Sequence, residues 1–220
     1  MIIATHSYGP DEWVKMRTFA WWVEILYLLR KLVQLPLLLI HMLTGLSYRQ
    51  IFEFYAFVPF AQAPLLSELQ RFLLGKAEAI RAGETELCIM RQGKDPYWLN
   101  VSDFIVTGLY SPELSAAFYA EQKTVLAQLL ARHGKQLPAG LLEQAVALSE
   151  ALFQTYTRQQ PFGLTLRYNL WEACSDFLRG QPWQIRQGVF HHIHDWAGPP
   201  HYQVRMEAGP ITIQQPASFK

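Results

Sequence analysis

Residues 26–46 read LYLLRKLVQLPLLLIHMLTGL, and no other stretch of the chain limits its folding as strongly. Arg30 and Lys31 interrupt it, and the apolar run after Gln34 is shorter than the roughly 20 residues needed to span a bilayer. The segment is expected to form two buried helices broken at Pro36, so other apolar faces must cover it. With 220 residues, half of them hydrophobic and 14% aromatic, the chain has enough apolar material for one or two cores. An amphipathic helix lying in a membrane interface is the competing reading, because aromatic and basic residues crowd this region. The formal net charge of +1 creates no broad basic field, which argues against a large nucleic-acid footprint. Only Cys88 and Cys174 are present, with no CxxC and no secretory leader, a pattern that fits a reducing cytoplasm and offers no disulfide framework.

Local signals place several helices. Gly9, Pro10, Asp11 and Glu12 mark a helix start, and Ser47 with Gln50 forms a capping box that opens a helix over 48–57, stopped by Pro59. Pro64 begins another, with Leu66, Leu69, Leu73, Ala77 and Ile80 on one face and an end near Gly83. Ser111 and Pro112 open a helix striped by Leu114, Phe118, Val125, Leu129 and Leu130 and closed by Gly134. Pro138 begins the next, turning Leu141, Leu142, Ala145, Leu148 and Leu152 inward. Residues 2–5, IIAT, read as a short buried strand with no neighbour nearby in sequence to pair with. Beyond Arg158 the pattern changes. Residues 162–168 alternate like a strand, Asn169 is placed to cap a helix to about 178, and 183–190, 202–206 and 211–214 read as further strands. The expected class is α+β, mainly α: an entry segment over 1–9, a helical body over 10–158, and a small α+β tail over 159–220 packed on it.

The densest group of chemically capable side chains is His191, His192, His194 and Asp195, with His201 beyond Gly198, Pro199 and Pro200. On a strand His192 and His194 share a face, and His201 returning across the turn would complete a candidate set for zinc, iron or nickel. A polar turn with partly exposed histidines accounts for the same residues. Neither cysteine has a nucleophile context, and GxSxG, GxGxxG and GxxxxGK[ST] are all missing. Glu150, Glu172 and Asp176 are spread over expected helices as solvated carboxylates. Residues 39–52 imitate a helix-turn-helix unit, but Phe52, Phe54, Tyr55 and Phe57 stand where base and phosphate contacts call for polar side chains. Core packing explains those aromatics better.

Residues 4–55, ATHSYGPDEWVKMRTFAWWVEILYLLRKLVQLPLLLIHMLTGLSYRQIFEFY, are followed by PLLSELQRFL at 64–73, LRYNLWEAC at 166–174 and WAGPPHYQVRMEAG at 196–209. Together they resemble the region C-terminal to the catalytic barrel in cobalamin-binding radical SAM proteins. Many of those are described as Fe-S oxidoreductases or as relatives of the magnesium-protoporphyrin monomethyl ester oxidative cyclase. The resemblance implies a bacterial, cytoplasmic parent polypeptide, an oxidoreductase or methyltransferase with an N-terminal cobalamin domain, a radical SAM barrel and a helical C-terminal domain. Its cofactors would be S-adenosylmethionine, a [4Fe-4S] cluster and cobalamin, none of them held by this chain, which lacks the CxxxCxxC triad; no catalytic or cofactor-binding residue carries over. Residues 2–5 would be the last barrel strand. The implied partners are the barrel and cobalamin domains of the same polypeptide and a small-molecule substrate, with no nucleic acid and no membrane. Arg167, Tyr168, Asn169 and Trp171 are the substrate-contact candidates, against Asn169 as a helix cap and Trp171 as core. The reading from a different class is a free-standing binding module, either a DNA-binding regulator using 39–57 or a peripheral membrane protein using 19–46.

Overall fold

The all-round apolar character of residues 35–40 has a simple structural cause: the helix that carries them lies between two hydrophobic cores. In the computed structural model, which describes residues 8–92, 95–158 and 162–194, this helix is α2 (Gln34–Thr44). Leu37 and Ile40 face one core, while Leu35, Leu38 and Leu39 face the other. A helix with an apolar surface all round must be buried all round.

The first core is built by α1 (Pro10–Val23), a π-helical turn (Glu24–Leu28), α3 (Tyr48–Phe57), α4 (Pro64–Arg81), α5 (Val101–Gly108) and α6 (Pro112–Arg132). Its largest fully buried side chains include Trp21, Trp22, Tyr55, Phe60, Phe118 and Tyr119. The second core joins α2 to α7 (Leu141–Arg158), β3 (Phe162–Tyr168) and α8 (Leu170–Leu178). Two antiparallel ribbons complete the described residues: β1 (Cys88–Gln92) with β2 (Asp95–Leu99), and β3 with β4 (Gln187–His194). Eight α-helices and two two-stranded sheets among the described residues make the fold α+β and mainly α, the expected class.

Several helix starts are fixed by the residues that announced them. Glu12 accepts the Gly9 backbone N–H at 2.8 Å, and Gln50 and Ser47 exchange bonds as a capping box. Ser111 caps α6 through its side-chain oxygen, as Asn100, which the sequence reading did not single out, does for α5. At α4 the cap comes from elsewhere in the fold. Ala63 has no side-chain acceptor, and the Glu121 carboxylate of α6 receives the N–H groups of Leu65 and Leu66 at 3.0 and 2.8 Å.

The break in the 26–46 segment lies earlier than expected. It falls after the π turn, where Lys31 takes φ +53°, and Pro36 sits in the first turn of α2. A first-turn proline has no intrahelical N–H bond to lose, so it starts the helix instead of breaking it. Arg30 ion-pairs with Asp103 of α5 and anchors the corner. Of the four aromatics in the helix-turn-helix imitation, Phe52, Phe54 and Tyr55 are core residues and Phe57 is exposed. Among the described residues no helix is long and apolar enough to cross a membrane.

Other boundaries also moved. Helix α7 begins at Leu141, after a turn in which the Leu141 N–H donates to Pro138 O and Gly140 takes φ +75°. The strand expected over 183–190 is β4, Gln187–His194. The β1–β2 ribbon and α5 were not expected at all. The readings at 2–5, 202–206 and 211–214, and His201, lie outside the described residues.

Candidate functional site

The four substrate-contact candidates sit where β3 runs into α8, and the pairing with β4 decides where each one faces. Thr165 pairs with His191, Leu164 with His192 and Phe162 with His194. Side chains alternate across a strand, so Gly163, Thr165 and Arg167 share a face with His191 and Ile193, while Phe162, Leu164, Leu166 and Tyr168 share the opposite one with His192 and the His194 position. Burial follows the same alternation: Leu166 and Tyr168 are buried in the second core, while Thr165 and Arg167 are exposed.

The candidates therefore do not converge. Arg167 stands on the solvent face, and its backbone N–H donates to Gln144 Oε1 at 2.5 Å. Tyr168 is buried, and its hydroxyl donates to Ala139 O at 2.9 Å. Asn169 occupies the N-cap position of α8, but its side chain makes no cap bond. It acts as a clamp instead: Oδ1 accepts the Arg186 N–H at 2.7 Å and Nδ2 donates to Gln184 O at 3.0 Å. Arg186 in turn donates to both carboxylate oxygens of Glu172, at 2.9 and 2.7 Å. These bonds tie the link between α8 and β4 to the start of α8. Trp171 is 45% exposed, so it is not core, and its ring lies 5.0 Å from that of His192.

The histidine run is divided in the same way. His191 shares a 3.2 Å hydrogen bond with Thr165 on the outer face. His192, on the other face, packs between the rings of Phe162 and Trp171 at 5.7 and 5.0 Å. Among the described residues no group of three His, Cys, Asp or Glu side chains is arranged to hold a metal.

Burial raises several titratable groups of the interior. Burial pushes the Cys174 thiol up to about 12, so at neutral pH it is a protonated thiol and a poor nucleophile. Burial also raises the Cys88 thiol. The Tyr48 phenol is raised by burial and then by its 2.8 Å bond to the Tyr27 hydroxyl; the His41 ring lies tilted against it at 4.5 Å and bonds Leu46 O through Nδ1 at 2.8 Å. This aromatic corner joins the two cores between α2, α3 and α8. An open groove of about 390 Å³ runs along Gln50, Glu53, Phe54, Phe57, Val58, Arg132 and His133. It lies where α3 and α6 end, and Arg132 offsets the negative end of its own helix.

Sequence reasoning missed the β1–β2 ribbon. Register puts Ile89 opposite Trp98 on one face and Cys88 opposite Leu99 on the other. Cys88 is buried, while Ile89 and Trp98 are 48% and 56% exposed. The available signal was Gly93 between two short runs rich in apolar and aromatic residues. Leu87 just before the ribbon, Tyr97 on its Cys88 side, and Leu28 and Leu29 at the end of the π turn are exposed as well. Both elements pack on α5.

Comparison with protein-family models finds no match, and neither curated proteins nor solved structures give one.

Proposed function

We propose that this chain is a non-catalytic covering domain, the C-terminal accessory domain of a cytoplasmic, cobalamin-dependent radical SAM enzyme. In this role it packs against the open side of the catalytic barrel, keeps water from the radical chemistry and shapes the way in for a small-molecule substrate. S-adenosylmethionine, the [4Fe-4S] cluster and cobalamin belong to the barrel and cobalamin domains of the same polypeptide. The sequence resemblance over residues 4–55, 64–73, 166–174 and 196–209 names the family.

The observation that carries a covering role is the distribution of exposed apolar side chains. Leu28, Leu29, Leu87, Ile89, Tyr97 and Trp98 are all exposed, and all belong to the two elements packed on α5 or to the link leading into β1. Single exposed apolar residues are ordinary, but several gathered on elements round one helix suit an interaction surface, as do Trp171, Leu178, Val189 and Ile193 on α8 and β4. A two-stranded ribbon is also marginal in water by itself, and packing on a partner stabilises it. Burial raises both cysteine thiols, and interior tyrosine hydroxyls are hydrogen-bonded: Tyr27 with Tyr48, Tyr55 to Gln122 and Tyr168 to Ala139 O.

The test is the mass of the native polypeptide in cells that make it, detected with an antibody raised against residues 8–92. A band well above 25.4 kDa supports the covering-domain reading. A band at 25.4 kDa overturns it.

A further inference from the structure

We infer that the groove where α3 and α6 end is a binding site for a small zwitterion with an apolar body, a free amino acid carrying an aromatic or aliphatic side chain. One wall is α3, which brings Glu53 and Phe57, and the other is the end of α6, which brings Arg132 and His133. Residues four apart on a helix share a face, so α3 lays Glu53 and Phe57 side by side along the groove, a charge next to an aromatic ring. The volume of about 390 Å³ lies at the small end of the range for small-molecule sites and suits such a ligand better than a folded partner.

The two charges on these walls are opposite in sign and are not paired with each other. Glu53 accepts from Arg49 Nε, one turn back on its own helix, through Oε1 at 2.8 Å, and Oε2 keeps its accepting capacity. Among the described residues the Arg132 guanidinium has no hydrogen-bond or ion-pair partner, so its donors are open to the groove. A guanidinium holds a carboxylate through two parallel bonds, while a carboxylate at the negative end of a helix holds an ammonium. A ligand with both charges answers both walls; a ligand with one leaves the other wall unanswered. Between the charges the surface is apolar. Phe57 is 49% exposed, and Phe54 and Val58 continue it as a floor on which an apolar side chain is taken out of water.

The experiment is an amide NMR titration of the full chain with L-phenylalanine, run beside two analogues that each keep one charge: phenethylamine, with only the ammonium, and phenylpropanoate, with only the carboxylate. Both charged walls are open to water and salt, so saturation is expected in the millimolar range at low ionic strength. Saturable shifts at residues 53–58 and 132–133, with each analogue weaker by about tenfold or more, support the inference. Arg132→Gln and Glu53→Gln change surface side chains, so the spectrum of the folded chain is retained, and each variant should lose about the same factor for phenylalanine. Analogues that bind as well as phenylalanine overturn the inference, as do variants that bind as well as the wild-type chain. The absence of any saturable shift at these residues in the millimolar range overturns it too.

Discussion

The most exposed dependence in this fold is the start of α4, where one carboxylate on another helix replaces the usual cap. Its backbone donors can be accounted for completely. The Ala63 N–H donates to Phe60 O at 3.3 Å, Pro64 has none, Leu65 and Leu66 donate to the two oxygens of Glu121, and Ser67 donates to Ala63 O at 2.9 Å. Glu121→Ala leaves two donors unpaired, and Leu66 is fully buried, so water cannot replace its partner. An unpaired buried donor costs about 1–3 kcal/mol, and losing a favourable charge at a helix N-terminus costs about 0.3–1 kcal/mol. These terms overlap, so the expected loss is about 2–3 kcal/mol. Glu121→Gln keeps one acceptor oxygen but not the charge and should lose about 1 kcal/mol. Urea unfolding of the wild-type chain and both variants measures this, with the midpoint falling in the order wild type, Gln, Ala at constant slope. An alanine variant within about 0.5 kcal/mol of wild type would refute the reasoning.

Three further outcomes are expected. Tyr55→Phe removes the 2.5 Å donor to Gln122 Oε1 inside the core and should cost about 1–3 kcal/mol, whereas adding Gln122→Leu recovers much of the loss because both polar partners are then gone; a double-mutant cycle measures the coupling. Asn169→Ala opens the clamp on residues 184 and 186, so limited proteolysis should cut the link between α8 and β4 faster in the variant, while cleavage elsewhere in the described residues keeps its rate. Cys174, raised by burial to about 12, keeps its proton in the folded chain while the unfolded chain releases it near pH 9. The unfolded state therefore binds fewer protons between pH 9 and 12, so stability falls as pH rises, by up to about 1.4 kcal/mol per pH unit from this group. Cys174→Ala should flatten that part of an alkaline denaturation profile, and an unchanged slope would refute the assignment.

The helices were legible because their signals are local. Ser47 with Gln50, Pro64, and Ser111 with Pro112 each satisfy or excuse backbone donors within a turn of themselves, and each marks an observed start. The apolar stripe of α4 was equally clear, since Leu66, Leu69, Leu73, Ala77 and Ile80 are its five buried residues. The break near residue 31 was not legible. It depends on a long-range ion pair between Arg30 and Asp103 and on a left-handed Lys31, a conformation uncommon for any residue with a Cβ. Pro36 was the obvious local candidate for the break, yet a proline three residues into a helix interrupts nothing.

At the candidate site, residue types were readable and directions were not. Arg167, Tyr168, Asn169 and Trp171 are near neighbours in sequence, but strand alternation separates Arg167 from Tyr168, and the turn into α8 gives Asn169 a structural task. The same alternation divides His191 from His192. A cluster in sequence becomes a cluster in space only when its spacing matches the period of the element that carries it, and on a strand that period is two. The β1–β2 pair illustrates the converse. Ile89 and Trp98 are nine positions apart and carried no joint signal, yet the hairpin register sets them side by side on an exposed face. An exposed tryptophan opposite an exposed isoleucine gives this chain little stability of its own, about 0.2–1 kcal/mol for the pair, and leaves most of their apolar surface in water.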